Sequence, residues 1–218
     1  MNGFEKPWPT RDAMGQIYKE KLWGGSAFDF YSGDGSHHPE IVNPYVDIVG
    51  SFLKSFESPL NICDLGCGDF NVGKELVKYA NKYVAIDIVS DLIDRNKEKF
   101  QEDNLEFHCL DIAVDDLPSG DCAFLRQVLQ HLSNAEVQSA LNKLTAFKYV
   151  ILTEHIPQGA FIPNKEIISG QGIRLKKKSG LNLLVPPFNF KVLEERQLVS
   201  HTLDNGKGLL VTALYTLF

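Results

Sequence analysis

Two aspartates and a pair of glycines are the residues of this chain whose types and spacing point most directly to chemistry. Asn61-Ile-Cys-Asp-Leu-Gly-Cys-Gly68 ends a short apolar run in a glycine turn, with Asp64 just before it. Tyr83-Val-Ala-Ile-Asp87 ends the next apolar run in a second acid. Gly66 and Gly68 let the backbone turn sharply and a ligand approach with no Cβ in the way. Gly68 precedes Asp87 by about 20 residues, the interval expected for a carboxylate that accepts hydrogen bonds from ribose hydroxyls. The pattern predicts a nucleoside-bearing ligand.

Polar groups follow each later apolar run as well. Asp111-Ile112 follows 105–110, Gln127, Gln130 and His131 follow 121–125, and Glu154-His155 follows 149–153. Ligands of open α/β sheets bind outside the carboxyl ends of the strands, so these side chains are candidates for one site. His131 and His155 are the natural candidates for proton transfer near neutral pH. A structural hydrogen bond to backbone is the competing role for each. No Asp/His/Glu cluster has the spacing of a metal site, and no metal is expected.

Strands must position these groups. Segments 62–65, 83–87, 105–110, 121–125 and 149–153 read as strands alternating with helices, which argues for a parallel, doubly wound sheet. Leu76, Val77 and Ala80 predict a helix over 73–80. Ser90 is placed to cap a helix running to about Phe100. Ser133 and Glu136 form a capping box before Val137, Ala140, Leu141 and Leu144. Two final strands, 197–203 and 209–217, flank Asn205-Gly206, a strong hairpin signal, so the last pair should be antiparallel.

Residues 1–56 read as an N-terminal helical cap. Thr10 can cap a helix carrying Met14, Ile17, Tyr18 and Leu22. Ile41, Tyr45, Ile48, Val49, Phe52 and Phe56 mark a second helix that Pro44 starts or kinks. Between them lies a run dense in glycine and aromatics that includes Trp23, Tyr31, His37 and His38. Long glycine-bearing loops in compact domains are commonly functional, and this one suits a lid that excludes water. The alternative is that its aromatics only anchor the arm.

The 218 residues, 44% of them hydrophobic, suffice for one full core. A net charge of −6 does not favour a polyanionic partner, so nucleic acid is not expected. Cys63, Cys67, Cys109 and Cys122 match no zinc pattern and read as small buried hydrophobes in a reducing compartment. Neither a membrane-length apolar run nor a signal-peptide h-region is present, and the expected location is cytoplasmic.

Asp64-Leu-Gly-Cys-Gly68 followed by the Asp87 strand end resembles the first two motifs of the class I S-adenosylmethionine-dependent methyltransferases. A dehydrogenase would show a third glycine opening the helix, where this chain has Asn71. Phe70 departs from the pattern, standing where many members carry another glycine and narrowing the turn. The terminal antiparallel strand also resembles that family's Rossmann-like, seven-stranded sheet, so the resemblance covers roughly 57–218. It implies S-adenosyl-L-methionine as cofactor, held by Asp64, Gly66, Cys67, Gly68, Asp87, Ile88, Asp111, Ile112 and Gln127. In the family the acid at position 111 contacts the adenine amino group, and its neighbour packs on the ring.

The resemblance further implies methyl transfer to an oxygen or nitrogen of a small-molecule acceptor. RNA or protein acceptors, or a catalytically silent binding subunit, are the alternatives. Residues 156–195, weak in periodicity, occupy the place where the family commonly holds its acceptor elements. Within them Arg174-Leu-Lys-Lys-Lys178 reads either as a solvated face or as a contact for an anionic acceptor. Val185-Pro-Pro-Phe188 lacks the leading Asn or Asp of the amino-methylating nucleic-acid enzymes and is not a match. On the acceptor side the candidates are Trp23, Tyr31, His37, Glu154 and Arg174. His131 is preferred over His155 as base, because the segment after the fourth strand lies beside the donor methyl in proteins this one resembles.

Overall fold

The computed structural model describes residues 8–26, 29–203 and 208–218. Two helices, α1 (Thr10–Lys19) and α2 (Pro39–Lys54), precede the sheet. The strands are β1 (Asn61–Leu65), β2 (Lys82–Asp87), β3 (Leu105–Cys109), β4 (Cys122–Arg126), β5 (Tyr149–Ile156), β6 (Glu194–Thr202) and β7 (Leu209–Thr216), with α3 (Ser90–Lys99) and α4 (Asn134–Leu144) between them. They form one seven-stranded sheet in the order β3-β2-β1-β4-β5-β7-β6. The first five strands pair in parallel, while β7 runs antiparallel to both β5 and β6. Crossing to opposite sides from β1 creates a topological switch point between β1 and β4, where open α/β sheets place their ligands.

The central strands are covered on both faces, which is why they read as continuous apolar runs. Alternation still operates within them: Cys63 and Leu65 face one core with α4, and Ile62 faces the other with α2. The capping box of α4 forms as expected, with Ser133 Oγ accepting from the Glu136 N–H. Of the α2 residues singled out, Tyr45 and Val49 are buried, and Val42 and Leu53 join them. Pro44 lies inside α2, and Pro39 occupies its first turn. The hairpin strands pair as expected, but Asn205-Gly206 lies outside the described residues. No helix of the described residues is long and apolar enough to cross a membrane.

Three local expectations are corrected. Segment 73–80 is not an α-helix but two successive 3-10 turns, Gly73–Glu75 and Val77–Tyr79. Asn81 N–H already donates to the Leu60 carbonyl ahead of β2, which leaves too few residues for a longer helix. Leu76 and Val77 are nevertheless buried, so the apolar pattern is satisfied by tighter turns. Ser90 does not cap α3: its hydroxyl makes no cap bond, and Asp87 Oδ1 accepts from the Val89 N–H at 3.1 Å instead. Thr10 does not cap α1 either, because its hydroxyl donates to Glu136 of the distant α4.

Phe70 is a fourth surprise. It adopts φ 63° and turns its fully buried ring into the core, at 4.9 Å from the Phe107 ring and 5.2 Å from that of Phe100. It therefore does not narrow the ligand side of the turn. Gly73 makes room for it, since a Cβ there would come within 2.3 Å of Phe70 Cε2. Residues 156–195 form an irregular strap whose Leu181, Leu183, Phe188 and Phe190 enter the core.

Candidate functional site

The carboxyl ends of β1, β2, β4 and β5 open into a cavity of about 500 Å³, covered by α1 and the arm that follows it. Asp64, Gly66, Cys67, Gly68, Asp87, Ile88, Asp111, Ile112 and Gln127 all line it. Asp87 Oδ2 accepts from the Gly68 N–H at 3.1 Å, tying the strand-end acid to the glycine turn. Burial raises the pKa of Asp87, opposed by the Val89 and Gly68 N–H groups. Burial also pushes Asp64 up to about 7, although the Tyr83 hydroxyl donates to its Oδ2 at 2.9 Å. Asp111 has two roles: it lines the cavity, and its Oδ1 accepts from the Ala113 N–H at 2.9 Å in a local turn.

The arm lies directly on the glycine turn. Ser32 N–H donates to Asp69 Oδ2 and Asp69 N–H donates to Ser32 Oγ, both at 2.8 Å. His37 Nε2 donates to the same Asp69 oxygen at 2.5 Å, and Asn71 Nδ2 donates to the Ser36 carbonyl at 2.8 Å. Gly68, at φ 57°, permits this approach, for a Cβ there would meet Ser32 Oγ at 2.4 Å. Trp23 reaches the cavity and packs 5.2 Å from the His131 ring. Tyr31 and His37 stack on each other at 4.2 Å behind the arm, and neither lines the cavity.

Gln130 joins the two candidate bases. His155 Nδ1 donates to Gln130 Oε1 at 2.9 Å, while Gln130 Nε2 faces His131 Nε2 at 3.4 Å. His131 Nδ1 donates to the Gly170 carbonyl at 3.0 Å. This assignment gives His131 no free ring nitrogen, whereas His155 Nε2 has no partner among the described residues. Burial pushes both imidazoles down to about 4, and the Arg126 charge contributes at His155. Both rings are neutral at physiological pH.

Glu154 and Arg174, expected on the acceptor side, do not line the cavity. Glu154 accepts from the Leu129 and Gln130 N–H groups at 2.9 and 3.1 Å. Arg174, 1% exposed, donates to the Leu129 and Leu132 carbonyls at 3.2 and 2.9 Å. The pair grips the 3-10 turn Leu129–His131 from both ends and so aims Gln130 and His131. Lys176, Lys177 and Lys178 stay exposed, and Lys176 reaches the cavity rim.

Sequence reasoning passed over Arg126, Asp69 and Ser32. Arg126 is the last residue of β4 and lines the cavity, with its guanidinium 5.0 Å from the Tyr45 ring. Its position at a strand end was an available signal. Asp69 directly follows the glycine turn, but nothing local reveals that it serves the arm.

Residues 63–147 match a family model described as a methyltransferase domain. Over this segment the chain is similar to the methyltransferase domain family. A curated relative, phosphoethanolamine N-methyltransferase of Triticum aestivum, is 25% identical over 184 residues, which is 82% of this chain and 33% of the relative. The chain thus spans about a third of that protein. Among solved structures, the N-methyltransferase NodS of Bradyrhizobium japonicum with bound S-adenosylhomocysteine superposes with TM-score 0.65 at 11% identity, covering 94% of this chain and 98% of that one. The 1,6-didemethyltoxoflavin-N1-methyltransferase of Burkholderia thailandensis superposes with TM-score 0.59 at 13% identity, covering 94% and 86%. Magnesium protoporphyrin IX methyltransferase of Synechocystis PCC 6803 gives TM-score 0.57 at 15% identity, covering 95% and 97%.

The cavity fits S-adenosylmethionine by its donor chemistry. Asp87 and Asp111 use backbone N–H groups as partners and keep carboxylate lone pairs for hydroxyl and amine donors. Ile88, Leu110, Ile112 and Leu132 supply the apolar walls an aromatic base needs.

Proposed function

We propose that this domain transfers a methyl group from S-adenosylmethionine to an oxygen or nitrogen of a small-molecule acceptor in the cytoplasm. One observation carries this reading: a single covered cavity joins the strand-end acids of β1 and β2 to the imidazoles after β4 and β5. When bound, the cofactor supplies a methyl group on a sulfonium that is already a good leaving group. The chain's own tasks are then to align the reactants and exclude water. Asp87 holds ribose hydroxyls, Asp111 takes the adenine amino group, and Ile88 and Ile112 cover the ring. Trp23 and the arm close the cavity as a lid.

A hydroxyl acceptor needs a group to take its proton, and a neutral imidazole fits. The sequence favours His131 as base, but its engaged nitrogens favour His155, whose Nε2 has no partner among the described residues and can accept. An amine that enters neutral needs only orientation. Two of the similar structures and the curated relative are named as N-methyltransferases, which supports including nitrogen acceptors. The net charge of −6 weighs against a nucleic-acid substrate. Transfer of a labelled methyl group across a panel of small amines, alcohols and acids tests the proposal. Product from at least one compound, falling roughly 10²–10⁴-fold in kcat for His155→Ala with a hydroxyl acceptor, is the expected result. Failure to bind S-adenosylmethionine at all would overturn it.

A further inference from the structure

Five acids line the cavity, Asp64, Asp69, Asp87 and Asp111 around the ends of β1 to β3 and Asp34 on the arm, whereas Arg126 at the end of β4 and Lys176 on the strap are its cations. Arg126 is the unusual member. Its Nη1 donates to Ser36 Oγ at 3.2 Å and its Nη2 donates to the Gly35 carbonyl, both neutral acceptors on the arm. Its Nε–H is buried with no hydrogen-bond partner. Among the described residues no carboxylate lies within ion-pair distance of it, and burial lowers its pKa against the opposing pull of Tyr45 and the more distant Asp64.

A guanidinium withdrawn from water without an anion is costly, since it forfeits hydration and receives only neutral acceptors in return. An orphan N–H on such a group deserves an explanation beyond packing. Arg126 and His155 line the same cavity, and the arginine's charge lowers the His155 pKa. Resting on the methyltransferase reading above, we infer that Arg126 recognises an oxyanion on the acceptor, which therefore carries a carboxylate or phosphate group. Planar, forked donors match such groups bidentately. The anion would bind Arg126 while the atom to be methylated stands near His155. The cofactor's positive sulfonium then sits toward the acids and the acceptor's negative group toward the arginine.

The test uses the full chain saturated with S-adenosylhomocysteine, titrated by calorimetry with inorganic phosphate and with acetate. At least one should bind, with affinity tenfold or more weaker in Arg126→Met and partly restored in Arg126→Lys. Affinity for S-adenosylhomocysteine should change by less than threefold in both variants. Should Arg126→Met fail to fold, the Arg126 Nε–H proton resonance of the wild type decides, because added phosphate should shift it. No arginine-dependent anion binding and no resonance shift would overturn the inference. So would a tenfold loss of S-adenosylhomocysteine affinity in Arg126→Met with 5′-methylthioadenosine binding unchanged, since the arginine would then hold the cofactor's own carboxylate. Wild-type protein that binds no S-adenosylhomocysteine would instead defeat the methyltransferase reading itself.

Discussion

Asp87 ties two elements together with one carboxylate. Its bonds to Gly68 and Val89 fix the glycine turn and the start of α3, and the residue lines the cavity. Asp87→Ala should weaken S-adenosylhomocysteine binding by about 1.5–3 kcal/mol, the worth of hydrogen bonds to a charged group, as read by calorimetry. Unchanged affinity would remove Asp87 from the site. His131 makes a different prediction, about pH. Its pKa falls from 6.5 to about 4 on folding, so the unfolded chain binds more protons throughout that window. Stability from the neutral, buried ring is complete above pH 6.5 and is lost as pH falls toward 4. The stability gap between wild type and His131→Gln should therefore narrow by up to roughly 3 kcal/mol between pH 7 and pH 4. Urea unfolding at both values checks it, and a constant gap would contradict the buried neutral ring.

At the scale of elements, the turn after β4 is held by charges placed far away in the chain. Glu154 satisfies its N–H groups and Arg174 its carbonyls, so the pair clamps the turn. Arg174→Met should cost about 3 kcal/mol or more of folding stability, because it strands several buried polar groups beside Glu154. Urea denaturation would show this, and a variant of normal stability would contradict it. Burial raises Glu154 to about 8 even with Arg174 and three backbone N–H groups pulling the other way. The arm is the other element with a measurable behaviour. Reciprocal Ser32–Asp69 bonds and the His37 contact hold it over the glycine turn. Amide exchange across 29–37 should slow further when cofactor and an acceptor bind beneath it. Protection already maximal in the free protein would make the arm a packing element only.

For the whole molecule, a ligand that binds only the folded state adds stability through mass action. S-adenosylhomocysteine at a hundredfold excess over its Kd should add about 2.7 kcal/mol. For a chain of this size that is a rise in Tm of roughly 5–10 °C. NAD should leave Tm unchanged, because Asn71 stands where a dinucleotide-binding helix would open on glycine and Asp64 would face the pyrophosphate. Stabilisation by NAD would reverse the ligand class.

The sequence by itself determined the sheet, the glycine turn and the acids beside it. Burial on both faces writes continuous apolar runs, φ above zero selects glycine, and strand ends follow directly from where those runs stop. These are local properties, so five parallel strands, the antiparallel end and the positions of Asp64, Asp87 and Asp111 were all legible. Only the tertiary structure decided what Arg174, Arg126 and the histidines do. Arg174 meets Leu129 across 45 residues, and Arg126 meets Ser36 across 90. A basic run looks the same whether its first residue is solvated or buried among carbonyls. Likewise, which nitrogen of His131 or His155 stays free depends on Gln130 and on a carbonyl 39 residues away. The same holds for 73–80, where an apolar spacing compatible with a helix was resolved into 3-10 turns by the short tether to β2. Periodicity reports which faces are buried, while partner identity is set by chain segments that meet only when the sheet closes.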